Sequence, residues 1–257
     1  MNFNENYIAF MTILRKEIYR FMKIWTQTIL PSAITTALYF IIFGNLIGSR
    51  IGEFDGIPYI NFIVPGLIMM AVITNAYTNV VSSFYFAKFI KNIEEMLVSP
   101  ISNLVIILGF IAGGVARGLM VGIAVTIVSL FFTNLSIYNI WITIIVIILS
   151  TILFSLAGLI NGIYAKKFDD VAIVPTFILT PLTFLGGVFY SINVLPPFWQ
   201  KVSLLNPIIY MVNAFRYGIL GISDVSIIGT FIMIILFIVI FFWWSWYLLE
   251  KGVGIKT

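Results

Sequence analysis

The sequence predicts an all-α polytopic membrane protein with six transmembrane helices, on three observations. Of its 257 residues 61% are hydrophobic and only 9% charged, against roughly 25% charged in soluble domains. Uncharged apolar runs recur at lengths near the about 20 residues that a helix needs to cross a bilayer. One interior stretch, Phe84 to Pro100, is instead two-faced. Phe86, Phe89, Ile90, Ile93, Met96 and Leu97 recur there at helical spacing, with Lys88, Lys91, Asn92, Glu94 and Glu95 opposite. A helix of that kind lies at a membrane boundary with its charges in the adjoining water.

Taken in order, residues 4–23 read as an amphipathic interfacial helix. Tyr7, Ile8, Phe10, Met11, Leu14, Ile18, Phe21, Met22 and Trp25 form its stripe, and Arg15, Lys16, Glu17, Arg20 and Lys23 lie off it. Nothing in this stretch has the short apolar core of a cleavable signal peptide, so the chain is expected to stay whole. The first span covers about 24–49, with Pro31 near its start, where a missing amide is tolerated. Arg50 to Pro58 is a turn broken by Gly52, Gly56 and Pro58. The second span covers about 59–83 and carries Asn75 and Asn79 at i,i+4 spacing. Interhelix hydrogen bonding is the favoured reading of that pair, and substrate contact is the other.

The two-faced helix occupies 84–98 and ends at Ser99 and Pro100. A third span follows over 103–132, with close-packing glycines at 109, 113, 114, 118 and 122. Arg117 interrupts it. A cation at that depth faces protein or water, so it is either satisfied by a neighbouring helix or turned to a transport path. The uncharged run from Gly118 to Ala165 is too long for one span and breaks at Thr133 to Asn139, giving a fourth span over 140–165 with Gly158 and Gly162 as a packing pair. Lys166, Lys167, Asp169 and Asp170 form a charged loop. The fifth span, 171–190, carries Pro175 and Pro181 and ends in Gly186 and Gly187.

Residues 191–226 hold Pro196, Pro197 and Pro207 and only three charges, Lys201, Arg216 and Asp224. That is too apolar for a soluble loop, so a re-entrant or interfacial helical segment is expected before the last span, with a plain pair of spans as the alternative. The last span is 227–249, closing in a belt of Trp243, Trp244, Trp246 and Tyr247. With both termini in the cytoplasm, the inner segments hold ten Lys and Arg against three outside, so the positive-inside rule selects that orientation and turns the two-faced helix to the cytoplasm.

Composition also excludes chemistry. There is no Cys and no His, which removes thiol nucleophiles, the usual zinc sites and imidazole acid-base work. No P-loop occurs, so the chain binds no nucleotide by that route. No carboxylate lies inside a proposed span, as ion-driven carriers require. The net charge of +4 is spread out, with no basic face for nucleic acid. A membrane permease is therefore weighed against a non-transporting scaffold or assembly protein.

Particular runs carry a resemblance. GGVFYS at Gly186–Ser191, LPPFW at Leu195–Trp199, LNPIIY at Leu205–Tyr210 and FRYG at Phe215–Gly218 resemble the carboxy-terminal signature of type-2 ATP-binding-cassette exporter permeases. LYFIIFGNLIGSRIG at Leu38–Gly52, FIVPGLIMM at Phe62–Met70 and SLAGLINGIYAKKFDD at Ser155–Asp170 extend it over nearly the whole chain. The resemblance implies a homodimer in a bacterial inner membrane, exporting a substrate the sequence does not name. Each subunit would dock on a separate ATPase that binds the ATP, with no cofactor held by this chain. It makes residues 84–98 a coupling helix, with Lys88, Lys91, Glu94 and Glu95 as its ATPase-facing positions. It makes the basic amino-terminal helix a connecting helix. Residues 191–226 become a re-entrant external segment, and Gly186, Gly187, Pro196, Pro197, Asn206, Pro207 and Arg216 are its marker positions. Asn161 joins Asn75, Asn79 and Arg117 as a candidate pathway or interhelix polar residue.

Overall fold

The computed structural model describes residues 3–54 and 56–254. Helix α1 (Phe3–Lys23) carries the amphipathic stretch. It breaks at Ile24, and the Thr28 hydroxyl bridges the break by donating to the Phe21 carbonyl at 3.1 Å. Helices α2 (Trp25–Thr28) and α3 (Leu30–Tyr39), a π-helical segment (Phe40–Ile47) and the single turn α4 (Gly48–Ile51) continue the first apolar run. Pro31 has no amide to donate, which accounts for the interruption at Ile29. Strands β1 (Glu53–Phe54) and β2 (Ile57–Pro58) then pair antiparallel, with Glu53 opposite Pro58. Gly52 and Gly56 enter and close that turn at φ +76°, where a side chain would be strained. Asp55 of the expected turn lies outside the described residues.

Helix α5 (Tyr59–Phe89) is the axis of the bundle and buries most of its residues. It runs beyond the expected end at Ser83, because Phe84, Tyr85 and Ala87 continue its buried face. After a turn come α6 (Asn92–Val98), α7 (Asn103–Ser129) and α8 (Ile140–Tyr164). The side chain of Asn139 caps α8, accepting from the Ile142 amide at 3.1 Å. Helix α9 (Phe168–Val174), a π-helical segment (Pro175–Leu179) and α10 (Thr180–Phe184) form one kinked rod. A 3-10 turn (Ile192–Val194), α11 (Pro197–Ser203), α12 (Pro207–Leu220) and α13 (Ile227–Lys251) complete the chain.

Among the described residues, five helical stretches are long and apolar enough to cross a membrane: Trp25–Gly44, α5, α7, α8 and α13. The segment expected as a fifth span, 171–190, is different in kind. It is helical only to Phe184, and from Leu185 it is irregular. Pro175 and Pro181 remove amides from its helical ladder, and the Thr180 amide reaches back five residues to the Pro175 carbonyl. At 1.5 Å per residue the whole helical rod from Phe168 to Phe184 is about 25 Å long, short of the roughly 30 Å apolar core.

Lipid tails give apolar helices no hydrophobic reason to associate, so close van der Waals packing and interhelix polar contacts must hold the bundle. Two rows of glycine on α7 allow it. Gly109 and Gly113 take α1, for a Cβ on either would lie 2.6 Å from Ile13 or Glu17. Gly114, Gly118 and Gly122 take α5 and α8. On α8, a Cβ at Gly158 would stand 2.5 Å from the Tyr77 carbonyl oxygen, a backbone atom that cannot rotate away. Gly158→Ala is therefore expected to destabilise the bundle by about 1–3 kcal/mol, read as a lower thermal midpoint of the purified protein.

Two apolar clusters result. The larger joins α5, α8 and α12 around Phe62, Leu67, Ile73, Leu153 and Met211. The smaller lies around Phe84, Ile107, Phe110, Leu159 and Leu248, and it includes Ile93 of α6.

A candidate coupling segment and transport path

The two-faced stretch is divided in the structure. Its first part, through Phe89, is the end of α5, and the chain turns at Ile90 and Lys91 before α6. Lys91 adopts φ +63°, and among the described residues no other non-glycine residue has a positive φ. Such a backbone costs about 1–3 kcal/mol and breaks the helix that the 3.6-residue spacing predicts. Helix α6 keeps the expected two faces. Ile93 is buried, with Met96 and Leu97 packed beside it, and Lys91, Glu94 and Glu95 are exposed.

Lys88 is placed elsewhere. Its Nζ donates to the Ile163 carbonyl at 2.8 Å and to the Ala165 carbonyl, so it caps the last turn of α8, where the helix dipole favours a cation. Phe86, Phe89 and Ile90, read as the anchoring stripe, are largely exposed, although Phe89 meets the Phe168 ring at 5.0 Å. Beside them Asp170 accepts from the Lys166 and Lys167 amides at 2.8 and 3.0 Å, and these two bonds hold its carboxyl below the usual carboxylate range. Its support for the start of α9 is thus complete above that range and is lost as pH falls through the depressed value.

The polar residues expected within the spans separate into three places. Arg117, 8% exposed, donates from Nη2 to Asn75 Oδ1 at 3.0 Å, and Asn75 Nδ2 donates to Ser32 Oγ and to the Ala71 carbonyl, both at 2.9 Å. Asn79 turns to α1, where its Oδ1 accepts from Arg20 Nη2 at 2.8 Å. Asn161 stands apart on α8, where its side chain meets the buried Tyr77 hydroxyl.

Beside Asn75 a cleft of about 200 Å³ opens between α3 and α5. Pro31, Ser32, Thr35, Thr36 and Tyr39 form one wall, and Leu67, Met70, Ala71, Thr74 and Asn75 the other. No lining residue is charged. Hydroxyls and a phenol on the first wall face Leu67, Met70 and Ala71 on the second, where Thr74 and Asn75 add a hydroxyl and a carboxamide, so it suits uncharged hydrogen-bonding groups and apolar surface.

The segment from Gly186 onward is knit by polar contacts. Gly187, at φ +71°, presents its carbonyl to Arg216 Nη2. Arg216 is 1% exposed, and its guanidinium carbon lies 4.0 Å from the centre of the Phe62 ring. Asn213 Oδ1 accepts from Arg216 Nη1 and from the Asp224 amide. The Asp224 carboxylate in turn accepts from Ser191 Oγ at 2.7 Å, the Ile192 amide at 2.9 Å and Asn193 Nδ2 at 3.2 Å. Pro197 opens α11. Asn206 caps α12 through the Ile208 amide and donates to the Leu182 carbonyl at 2.7 Å, and Pro207 takes the first helical position.

A family model described as ABC-2 type transporter matches residues 8–220, which takes in α1, the turn at Lys91, the cleft and α12. The chain belongs to the ABC-2 type transporter family. It is 58% identical over 252 residues, 98% of each chain, to the inner membrane transport permease YadH of Escherichia coli strain K12. It is 27% identical over 186 residues, 72% of this chain and 70% of the relative, to nodulation protein J of Sinorhizobium fredii strain NBRC 101917 / NGR234. As an ABC-2 permease it is a multi-pass inner-membrane component of an ABC transporter and not an enzyme, and the family implies an ABC ATPase as partner.

Sequence reasoning missed several residues of this ABC-2 permease. Glu17 was read off the apolar stripe, yet it is fully buried between α1, α5 and α7. The available signal was the spacing Ile13, Glu17, Phe21, three residues on one face of α1 whose flanking members are both buried. Ser32, Thr35 and Tyr39, also at helical spacing, marked the cleft wall. Asp224 had no local pattern that pointed to it.

Proposed function

We propose that this chain is the membrane-spanning subunit of an ATP-driven exporter, working as a homodimer with both termini in the cytoplasm. The carrying observation is α6, held to the base of the bundle by Ile93 and presenting Lys91, Glu94 and Glu95 to water. A separate ATPase would seat there. ATP binding and hydrolysis would bias the segment between two positions, which requires only that its contacts differ in free energy between the two states. Lys88 belongs to this reading as a brace between α5 and α8, and the docking charge rests on the other three residues.

Two further features support six spans and a re-entrant external piece. Phe168 packs on Tyr85 and Phe89 at one end of α5, and the Phe189 carbonyl accepts from the Tyr59 hydroxyl at the other, so the kinked rod and its irregular end together run the length of that span. Gly218 lies against Thr143 in the first turn of α8, while Pro207 lines a recess with Leu153 and Phe154, several turns along α8. Helix α12 would thus descend about 20 Å from the outer surface under cover of protein, as buried irregular backbone must. Polar side chains at membrane depth face protein or water. The half-open cleft at Ser32, Thr35 and Thr74 therefore fits a path shared with a second copy.

The test reverses the docking charges. Lys91→Glu, Glu94→Lys and Glu95→Lys together are expected to leave membrane insertion intact and to abolish stimulation of the co-purified ATPase. An ATPase that stays bound and stimulated by the triple variant would exclude docking at α6.

A further inference from the structure

Glu17 is an acid with no exposed surface, on a helix that composition alone assigns to the membrane surface. Burying a carboxylate is unfavourable unless it is paired and hydrogen-bonded, and Glu17 is both. Its Oε1 accepts from Ser83 Oγ at 2.5 Å, and its Oε2 accepts from Arg20 Nη2 at 3.1 Å. The same Arg20 nitrogen donates to the Asn79 carbonyl at 3.1 Å and to Asn79 Oδ1 at 2.8 Å. Asn79 and Ser83 are one turn apart on α5, so α1 is bonded to α5 at two successive turns. On its other side α1 sinks Ile13 and Glu17 into the gaps left by Gly109 and Gly113 of α7. Helices α5 and α7 are the two that enter and leave the coupling segment.

The connection continues upward. Phe21 is fully buried, and the Thr28 hydroxyl spans the break at Ile24 to reach its carbonyl. Beyond it the first span packs on the bundle along one face, where Phe40 is fully buried and Ser32 accepts from Asn75. Its other face is open, and Ile34, Leu38, Ile41 and Ile42 are exposed there.

We infer that Glu17 and Arg20 are positioning residues that lock α1 to the coupling ends of α5 and α7, making α1 the lever through which a push on α6 moves the first span. This rests on the coupling reading above and adds the route of transmission. An arginine held by a carboxylate, a carboxamide and a main-chain carbonyl has no freedom to slide along α5, and a glycine-seated helix has none to roll on α7. The first span, joined to α1 across the Thr28 bond and open along its outer face, then follows α1.

The chain contains no cysteine, so single reporters are clean. Val98→Cys reports on α6 and Ile34→Cys on the first span, both at exposed positions. Maleimide labelling is measured with and without ATP on the permease co-purified with its ATPase and reconstituted in liposomes. Both reporters are expected to change with nucleotide in the otherwise unaltered chain. In Glu17→Ala the Val98 response and ATP hydrolysis are expected to persist, while labelling at Ile34 becomes the same with and without nucleotide. Arg20→Gln, at a part-exposed residue that leaves Glu17 bonded to Ser83, is expected to do the same and guards against a misfolded Glu17 variant. A first-span response preserved in Arg20→Gln would overturn the lever. Silence of Val98 in the unaltered chain would instead overturn the coupling reading, and the lever with it.

Discussion

Asp224→Ala is expected to cost the protein about 1–3 kcal/mol, the size seen when buried donors lose their acceptor. Arg216 is fully buried, and among the described residues its guanidinium bonds to neutral oxygens, those of Gly187 and Asn213. Asp224 is the carboxylate whose charge acts on it. Removing that carboxylate withdraws a negative charge from the neighbourhood of the buried cation. It also leaves three donors, Ser191 Oγ, the Ile192 amide and Asn193 Nδ2, without their acceptor. Asp224→Asn keeps an acceptor and the shape, so its loss is expected to be smaller. Asp224→Asn combined with Arg216→Met should be milder than the two single losses added together, because the buried cation is gone. Thermal midpoints of the four proteins in detergent decide it. Additive losses would mean that the two groups do not sense each other across Asn213.

Where sequence and structure part, the cause is distance along the chain. The two faces of α6 were legible because amphipathic spacing is local: Ile93 lies inward and Glu94 and Glu95 outward, as a 3.6-residue period requires. The same period extended backward made Lys88 a member of the outer face. Its four-carbon stem instead reaches the carbonyls that end α8, some 75 residues away, a partner no window over 84–98 contains. Glu17 failed for the same reason. An acid on an interfacial helix reads as solvated until Gly113 and Ser83, from two other helices, close around it. The prolines at 175 and 181 announced a weak span, but where its helix would stop was decided by the Arg216 contact to Gly187 and the Asn206 contact to Leu182. The glycines of α7 were legible as a close-packing face. That they form two rows, one for α1 and one for α5 and α8, depends on which helices arrive.

Asn75→Leu is the second large effect, and it decides what Arg117 does. Among the described residues the Arg117 guanidinium makes one hydrogen bond, to Asn75 Oδ1, and its buried Nε has no partner. Leucine removes that acceptor and strips Ser32 of its donor as well. If Arg117 is held by its neighbours, the variant loses about 1.5–3 kcal/mol, which for a chain of this size lowers the thermal midpoint by roughly 5–10 °C. Asn75→Asp puts a carboxylate about 3 Å from the same nitrogen. Its own desolvation is offset by a charge-assisted bond, so stability is expected to stay level or rise. Asn75→Leu with Arg117→Met removes both polar groups and is expected to recover most of the loss, giving a coupling energy of at least about 1 kcal/mol. A guanidinium turned to a water-filled path would behave otherwise. Water would replace the lost acceptor, Asn75→Leu would cost less than about 1 kcal/mol, and the double variant would show no coupling. The protein places Asn75 between Ser32 on the cleft wall and Arg117 behind it. The cycle therefore measures whether the cleft is backed by a satisfied cation, and so stays suited to uncharged groups, or communicates with a free one that an anionic substrate could reach.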